Sequence, residues 1–423
     1  MSATTLADYL QEEAQDLASK CTRCGKCFEV CPMIGFTSLK GREPVPIVTD
    51  LVNLLKDGTW SEAIGTWAQA CTGSGECITH CPEHINPRKM LSIALSQTRQ
   101  RQTAQGTNPV GGFYKRMSQT IHLLVGLQMT PDRYRQAMNR QPDKARAEVV
   151  FYIGCNILRT PHILFNMLDV LDLLETDYAV VGGVANCCGI IHLKFHGDVQ
   201  SADKVTSGTL RKIGAYQPKT VLHWCPSCVL QFGETTAGFR PVEFEFSHIT
   251  RFLVERLDRL RPRMRAVNQV VAFHKHEGGL GIAEDVRTLL QAIPGLTLVE
   301  LDDQARWAYT CGPLGLNLVP EAKARLHREM LDAARHKGVD IVADLYHSCH
   351  RDLVGFEGEY PFRIVNWTSL FAEALGLETH EDYFKRYRLL QDVRAVLEDA
   401  QGFIRASGLD PKVLEEILPN LIN

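Results

Sequence analysis

The feature that most constrains this chain is a run of four cysteines near its start. Cys21, Cys24, Cys27 and Cys31 follow the spacing C-x2-C-x2-C-x3-C, and Pro32 comes next. Two-residue spacers let a tight loop direct three thiolates to one iron–sulfur cube, while the fourth thiolate points to a different cluster. The run therefore predicts a second ligand set further along the chain and a fold that brings the two sets together.

The second set is present, but one of its members is missing. Cys71, Cys77 and Cys81 are followed by Pro82, and Ser74 stands where a regular quartet has its second cysteine. In such paired runs the last cysteine of each run binds the cluster held by the other run, so the sequence predicts two cofactor-binding sets. These are Cys21, Cys24, Cys27 and Cys81 for a [4Fe-4S] cluster, and Cys31, Cys71 and Cys77 for the second cluster.

Three thiolates at the second site suit a [3Fe-4S] cluster, in which the fourth corner has no iron. The spacing C-x5-C-x3-C-P of residues 71–82 resembles the three-iron site of succinate dehydrogenase iron–sulfur subunits. Two alternatives stay open. Either Ser74 or a water keeps a fourth iron in place, or the site holds no cluster.

The spacing of apolar residues predicts an α-helical ferredoxin domain followed by an α/β region. Helical patterns precede Cys21 and fill the 39 residues between Cys31 and Cys71, a longer gap than a compact ferredoxin has. From Val149 onward, short apolar strands alternate with helical patterns, which indicates a largely parallel sheet. The predicted divisions are 1–101 for the ferredoxin domain, 102–147 for a linker and helix, 148–265 and 266–365 for two halves of the α/β region, and 366–423 for C-terminal helices.

The cysteines of the α/β region stand where its predicted strands end. Cys155 ends the first strand, Cys187 and Cys188 follow the second, and Cys225 and Cys228 follow the third. The turns after strand ends are where open α/β sheets build their sites. These five residues are therefore a candidate functional site, and the resemblance described next implies that they are catalytic.

A cysteine after a strand, then Cys-Cys-Gly, then C-x2-C resembles the cysteine-rich CCG module in the B-type subunit of heterodisulfide reductase. Its relatives include iron–sulfur subunits of glycolate, lactate and anaerobic glycerol-3-phosphate dehydrogenases. The resemblance implies that the five cysteines hold a noncubane [4Fe-4S] cluster that acts on a disulfide. Five thiolates on four irons require a bridging ligand, which the adjacent Cys187 and Cys188 make easy. A conventional cube held by four of the five, or zinc, stays open.

The second half of the α/β region repeats the first in reduced form, which predicts a CCG domain of two pseudo-repeated halves. The shift between equivalent positions is 121 to 123 residues, so the register is kept. Cys155 corresponds to Glu277, Cys187-Cys188-Gly189 to Thr310-Cys311-Gly312, and Cys225-x2-Cys228 to Tyr346-x2-Cys349. The second copy has thus lost three of five ligands, and its two remaining cysteines cannot hold the same cluster.

Other donors stand near the lost ligands of the second copy, namely His274, His276, Glu277, His347 and His350. Two thiolates with one or two imidazoles could bind zinc tetrahedrally. Alternatively, the group is structural or vestigial. In a third interpretation, His274 or His347 faces the first module's cluster and handles protons there.

The resemblance covers most of the chain, since residues 1–100 resemble the C-type subunit of heterodisulfide reductase and residues 148–360 resemble the B-type subunit. It implies an oxidoreductase subunit that passes electrons between a flavoprotein or other carrier subunit and a disulfide- or persulfide-type substrate, free or on a carrier protein. The alternative is a pure electron-transfer subunit that links a flavin dehydrogenase of a small organic acid or amine to quinone or another carrier. A third hypothesis is an iron–sulfur scaffold or regulatory protein without turnover.

Composition excludes other classes of function. A net charge of −3 without long basic runs predicts no nucleic-acid partner. No apolar stretch is long enough to predict a transmembrane helix, although the partly apolar helix after residue 112 leaves peripheral membrane association open. Fourteen cysteines without an export signal predict a cytoplasmic protein whose cysteines bind metal.

Overall fold

The computed structural model describes residues 4–142, 144–276, 278–301, 307, 309–312 and 319–422. Helices form the first part of this described chain, and parallel sheets flanked by helices form the second. The predicted order, a helical ferredoxin domain before an α/β region, is therefore observed. Glu277, one of the predicted metal donors, lies outside the described residues.

The described residues before the first sheet form helices joined by loops. Thr5 caps the first helix through a capping box with Asp8, which satisfies free N–H groups at the helix start. The helices are α1 (Leu6–Lys20), α2 (Lys26–Glu29), α3 (Pro44–Asp57), α4 (Glu62–Ala70), α5 (Glu76–Thr79), α6 (Pro87–Ala104), α7 (Phe113–Gln128) and α8 (Pro131–Met138). Leu51, Ile64 and Trp67 are fully buried in the core between them.

The first CCG module is a four-stranded parallel sheet with the strand order β2-β1-β3-β4. Its strands β1 and β2 are buried along their whole length, as expected for a sheet covered on both faces. The elements are β1 (Val149–Gly154), α9 (Pro161–Leu173), β2 (Tyr178–Gly182), α10 (Val199–Gly214), β3 (Thr220–His223), α11 (Pro226–Leu230), β4 (Glu245–His248), α12 (Ile249–Val254) and α13 (Leu257–Leu260).

The second module repeats this sheet, with the order β6-β5-β7-β8 among the described residues. Tyr152 pairs with His223 in the first sheet, and His274 pairs with Asp344 at the equivalent place in the second. The elements are β5 (Val270–His274), α14 (Ile282–Gln291), β6 (Thr297–Val299), α15 (Pro320–His336), β7 (Ile341–Asp344), α16 (His347–Leu353) and β8 (Arg363–Asn366). The same topology in both sheets agrees with the pseudo-repeat.

The C-terminal segment is helical and covers the apolar stripe of α7. Its helices are α17 (Trp367–Ala374), α18 (Tyr383–Leu390), α19 (Val393–Asp399), α20 (Gln401–Ser407), α21 (Pro411–Ile417) and α22 (Pro419–Ile422). The Tyr387 hydroxyl donates to the carbonyl of Leu127 at 2.7 Å, and Tyr387 is buried. The stripe thus packs on its own chain. Within the described part of the protein, no helix combines the length and apolarity needed to span a bilayer.

Helix α6 joins the ferredoxin domain to the first module. It is buried on almost every side, including its polar residues Arg88, Ser92 and Thr98. At its end, the Thr103 hydroxyl donates to the carbonyl of His196 at 3.0 Å. Because the helix has partners on nearly all sides, it fixes the ferredoxin domain on the first module.

Candidate functional site

The four cysteines predicted to hold the [4Fe-4S] cluster line one small cavity. They are Cys21, Cys24, Cys27 and Cys81. Cys21 ends α1 in an extended conformation, and Cys27 lies in the single turn of α2. Burial, with the nearby thiols of Cys21, Cys24 and Cys81, raises the pKa of Cys27 to about 12. A buried thiol of this kind loses its proton when its sulfur binds a metal ion. Cys24 is exposed, so this cavity, site one, lies near the surface.

The second cavity, site two, is lined by Cys31, Cys71 and Cys77, with Ser74 in its wall. The loop that carries Cys71 and Cys77 has the same backbone conformation as the loop that carries Cys21 and Cys27. Gly75 precedes α5 in the left-handed region, just as Gly25 precedes α2. Burial and the neighbouring thiols raise the pKa of Cys77 well above its usual range. The structure therefore places Ser74 at site two as the sequence predicts, where Cys24 stands at site one.

Arg88 connects the loop of site two to both CCG modules through hydrogen bonds. Its Nη1 donates to the carbonyls of Gly73 at 2.8 Å and Gly278 at 2.6 Å, and its Nη2 donates to Glu234 at 2.6 Å. The ion pair between Arg88 and Glu234 is almost fully shielded from solvent. Its hydrogen bonds are charge-assisted because they join two ionised groups. The glycine-rich loop at 278–281 thus meets the ferredoxin domain.

The five cysteines of the first CCG module meet in a third site. The Cys187 thiol is hydrogen-bonded with those of Cys155 and Cys188, and the Cys228 thiol with those of Cys188 and Cys225. Four of the side chains are buried, and Cys225 is partly exposed. The structure therefore brings together all five candidate catalytic residues, of which Cys225 is the one that is partly exposed.

The Cys-Cys-Gly turn is shaped by α10. Gly189 has a φ of +87°, and a Cβ there would stand 2.3 Å from Thr206 Oγ1. The Thr206 hydroxyl donates to the carbonyl of Cys188 at 3.0 Å, and the Thr209 hydroxyl to that of Cys187 at 2.8 Å. A side chain at Gly189 would push this helix away, so the glycine is needed for the close approach.

Two half-buried arginines, Arg159 and Arg351, border the third site, and no sequence pattern pointed to them. Burial lowers the pKa of Arg159 well below its usual range, while the neighbouring Cys155 opposes this shift. Burial also lowers the pKa of Arg351, against the effect of Cys225 and Cys155. Among the described residues, Arg159 Nε is buried without a hydrogen-bond partner. Partly buried cations beside clustered thiols fit an anionic iron–sulfur cluster.

Lys194 lies between site two and the third site. It belongs to a π-helical segment, His192–His196, and is 8% exposed. Burial lowers its pKa, while Cys71 of site two and Cys188 of the third site both favour its charged form. A single buried ammonium therefore interacts with ligands of both sites.

The predicted donors of the second module separate into three groups. His274 and His276 lie beside Cys311 and Cys349. His347 turns to the first module, where its Nδ1 accepts from Trp224 Nε1 at 3.1 Å. Burial and the nearby Arg351 and Arg159 hold the pKa of His347 well below its usual range, so the ring is neutral.

His350 points away from the cysteines. Its Nδ1 lies 2.8 Å from Asp344 Oδ2, and its Nε2 lies 2.7 Å from Asp382 Oδ2. Both carboxylates belong to buried or partly buried residues. His350 is thus part of an ion network and lies outside the group around Cys311.

Comparison with known proteins agrees with this architecture. Residues 17–85 match a 4Fe-4S dicluster domain, and residues 149–233 and 274–353 match the cysteine-rich CCG domain. The chain is 24% identical over 396 residues to the D-type subunit of dihydromethanophenazine:CoB--CoM heterodisulfide reductase from Methanosarcina barkeri, covering 85% of this chain and 94% of that protein. It is 23% identical over 361 residues to the B-type subunit of fumarate reductase (CoM/CoB) from Methanothermobacter marburgensis, covering 82% and 70%.

A solved structure, that of an aspartate racemase homologue from Pyrococcus horikoshii, matches 54% of this chain and 97% of that chain at 12% identity. Its TM-score of 0.26 carries no argument about the fold. The two named relatives are subunits of reductases, which supports an iron–sulfur oxidoreductase subunit that works in a complex. The resemblance read from the cysteines is confirmed: the chain is similar over 85% of its length to the D-type subunit of heterodisulfide reductase, and it matches a 4Fe-4S dicluster domain followed by two cysteine-rich CCG domains.

Proposed function

We propose that this chain is the iron–sulfur subunit of a heterodisulfide reductase-like complex. It receives electrons from a flavoprotein or other carrier subunit and delivers them to a disulfide- or persulfide-type substrate at the five-cysteine site. The observation that carries the proposal is the convergence of five thiols in the first module. A fifth thiolate exceeds the four that a cube requires, and this supports a noncubane [4Fe-4S] cluster.

The placement of the three sites supports a direction for the electron path. Site one lies near the surface at Cys24, where a partner subunit can approach. Cys27 lines the cavities of both site one and site two. Arg88, which also lines site two, donates a hydrogen bond to Glu234 of the first module. Lys194 interacts electrostatically with both Cys71 of site two and Cys188 of the third site. We infer that electrons enter at site one and leave at the five cysteines.

Residues around the third site supply the charge that disulfide cleavage needs. The reaction consumes two electrons and two protons and releases two thiols. The cluster would supply the electrons at its irons. Arg159 and Arg351 are half-buried cations that interact electrostatically with Cys155, and they stabilise negative charge that develops on a substrate sulfur. The partly exposed Cys225 gives the side from which a substrate approaches.

Disulfide-dependent reoxidation tests the proposed reaction. We expect the anaerobic, chemically reduced protein to be reoxidised by bis(2-hydroxyethyl) disulfide, with about two thiols released per two electrons. Cluster absorbance and thiol release are followed together. If a soluble quinone oxidises the protein and the disulfide does not, the sulfur reaction is wrong.

That outcome would instead support the pure electron-transfer function. One observation favours this second candidate: the second module lacks three of the five ligands, and an electron relay needs no substrate pocket. The relative from fumarate reductase (CoM/CoB) belongs to an enzyme of a small organic acid. The dehydrogenase and the acceptor then would be separate partners of this chain.

A substitution at Ser74 tests the proposed [3Fe-4S] cluster of site two. We expect a three-iron paramagnetic signal in the oxidised protein and about eleven irons per chain. Ser74→Cys supplies the missing thiolate in the wall of the cavity, so the signal disappears and about one iron is gained. Ser74→Ala is the matched control and keeps the three-iron signal. If Ser74→Ala loses iron, serine ligation holds and the three-iron assignment is wrong.

A further inference from the structure

Three side chains of the types that ligate metals meet in the second module, apart from the three candidate iron–sulfur sites. His274 ends β5, Cys311 lies in the described segment 309–312, and Cys349 lies in α16. Their ligand atoms all lie within 4.8 Å of one another, and His274 Nε2 lies 3.3 Å from Cys311 Sγ. All three side chains are buried. The fold thus brings two thiols and one imidazole from three separate segments together at one buried position.

The repeat explains why these two cysteines are neighbours. Cys311 is equivalent to Cys188, and Cys349 is equivalent to Cys228. In the first module, the Cys188 and Cys228 thiols are directly hydrogen-bonded. The second module has kept this adjacent pair and lost the other three ligands, and His274 now stands against it.

We propose that His274, Cys311 and Cys349 bind one zinc ion. At zinc bond lengths the sulfur and nitrogen ligands of a tetrahedral ion lie about 3.5 to 3.8 Å apart. Three ligand atoms within 4.8 Å of one another therefore suit a single ion after a contraction of at most about 1 Å. Thiolate and imidazole are the donors that zinc prefers in proteins. Two thiolates are too few for the four-iron clusters of the other modules. The site holds a redox-inactive ion and lies outside the proposed electron path.

A second set of donors shares Cys311 but fits zinc less well. His327 Nε2 lies 3.6 Å from Cys311 Sγ, and Asp352 completes this group. Asp352 already accepts from the Gly312 amide at 3.0 Å and forms an ion pair with Lys323 at 2.7 Å. This set offers one thiolate, whereas the set with His274 offers two.

The fourth position of a tetrahedral ion has a donor within reach. His276 Nδ1 lies 3.9 Å from Cys349 Sγ, and the side chain is half-buried. A small movement of this imidazole completes a Cys2His2 set, the composition of many structural zinc sites. The ion would link the end of β5 to α16. In the first module, the proposed cluster would link the equivalent segments, the end of β1 and α11.

Metal analysis of variants tests the zinc site in the full-length protein. We expect about one zinc per chain in anaerobically purified protein, in addition to its iron. In the double variant Cys311→Ser/Cys349→Ser, zinc falls to less than about a tenth of an equivalent, while the iron content and the cluster signals stay unchanged. His327→Ala is the matched control, because it removes a buried imidazole beside Cys311 from the competing set. It keeps its zinc.

Three results would overturn the proposal: wild-type protein without zinc, a double variant that retains it, or loss of zinc in His327→Ala. Zinc-edge X-ray absorption of the wild-type protein decides the matter even if the double variant does not fold. We expect two sulfur ligands at about 2.3 Å and nitrogen ligands at about 2.0 to 2.1 Å. Four sulfur ligands would place zinc in one of the cluster sites and contradict the assignment.

Discussion

Cys188→Ser is expected to remove the cluster of the third site and to abolish disulfide reduction. Cys188 lies in the middle of the five thiols, hydrogen-bonded to both Cys187 and Cys228, so its loss divides the ligand set. We expect a loss of about four irons per chain. Disulfide reduction should fall by more than about 100-fold, because even changes outside the ligand shell cost about 10- to 100-fold. Iron analysis and the disulfide assay measure both effects.

The repeat offers a matched control for this variant. Cys311 occupies the position equivalent to Cys188 in the second module and is equally buried. Cys311→Ser should therefore keep all of its iron and its disulfide activity. Equal losses in both variants would show that the effect comes from disturbed folding, and an active Cys188→Ser would contradict the catalytic assignment of the third site.

His350→Ala is expected to cause the largest loss of stability. The ring is fully buried between Asp344 of the second module and Asp382 of the C-terminal segment. Burial alone would lower its pKa, but the two carboxylates outweigh burial and raise it to about 10. Removing the imidazolium leaves two carboxylates without their cation. Breaking a buried pair in this way costs about 3 to 5 kcal/mol of unfolding free energy.

The pH dependence gives this prediction a second readout. The pKa of His350 is raised above its unfolded value of about 6.5, so its stabilisation is complete below that pH and is lost as the pH rises towards 10. The difference in urea midpoint between the wild-type protein and His350→Ala should shrink between pH 7 and pH 10. The control His336→Ala removes an exposed ring on α15 and should change nothing. A difference that stays constant with pH would contradict the charged state of His350.

The same network shows what sequence patterns miss. His350 was a candidate metal donor because it stands one residue beyond Cys349, yet its ring points to Asp344 and Asp382. In the α-helix the side chains of neighbouring residues point about 100° apart, so proximity in sequence does not give a shared site. His274 lies 37 residues before Cys311 and contacts it directly.

Sequence alone determined which cysteines of this protein are candidate cluster ligands. The runs at Cys21–Cys31 and Cys71–Cys81 are readable because short loops set their thiolate geometry, and Ser74 was visible as a gap in that pattern. The five cysteines of the first module and the reduced repeat were equally readable, because strand ends converge at one edge of a parallel sheet. The observed sheets and cavities agree with these predictions.

Only the tertiary structure decided what surrounds those ligands. Arg88, Arg159, Lys194 and Arg351 reach the sites from helices and turns that carry no local signal for this role. Their positions depend on how α6 packs against the first module and how the two modules meet. A thiolate ligand can be recognised from its neighbours in sequence, but a buried counter-charge is chosen by contacts between distant segments, which the linear order of residues does not record.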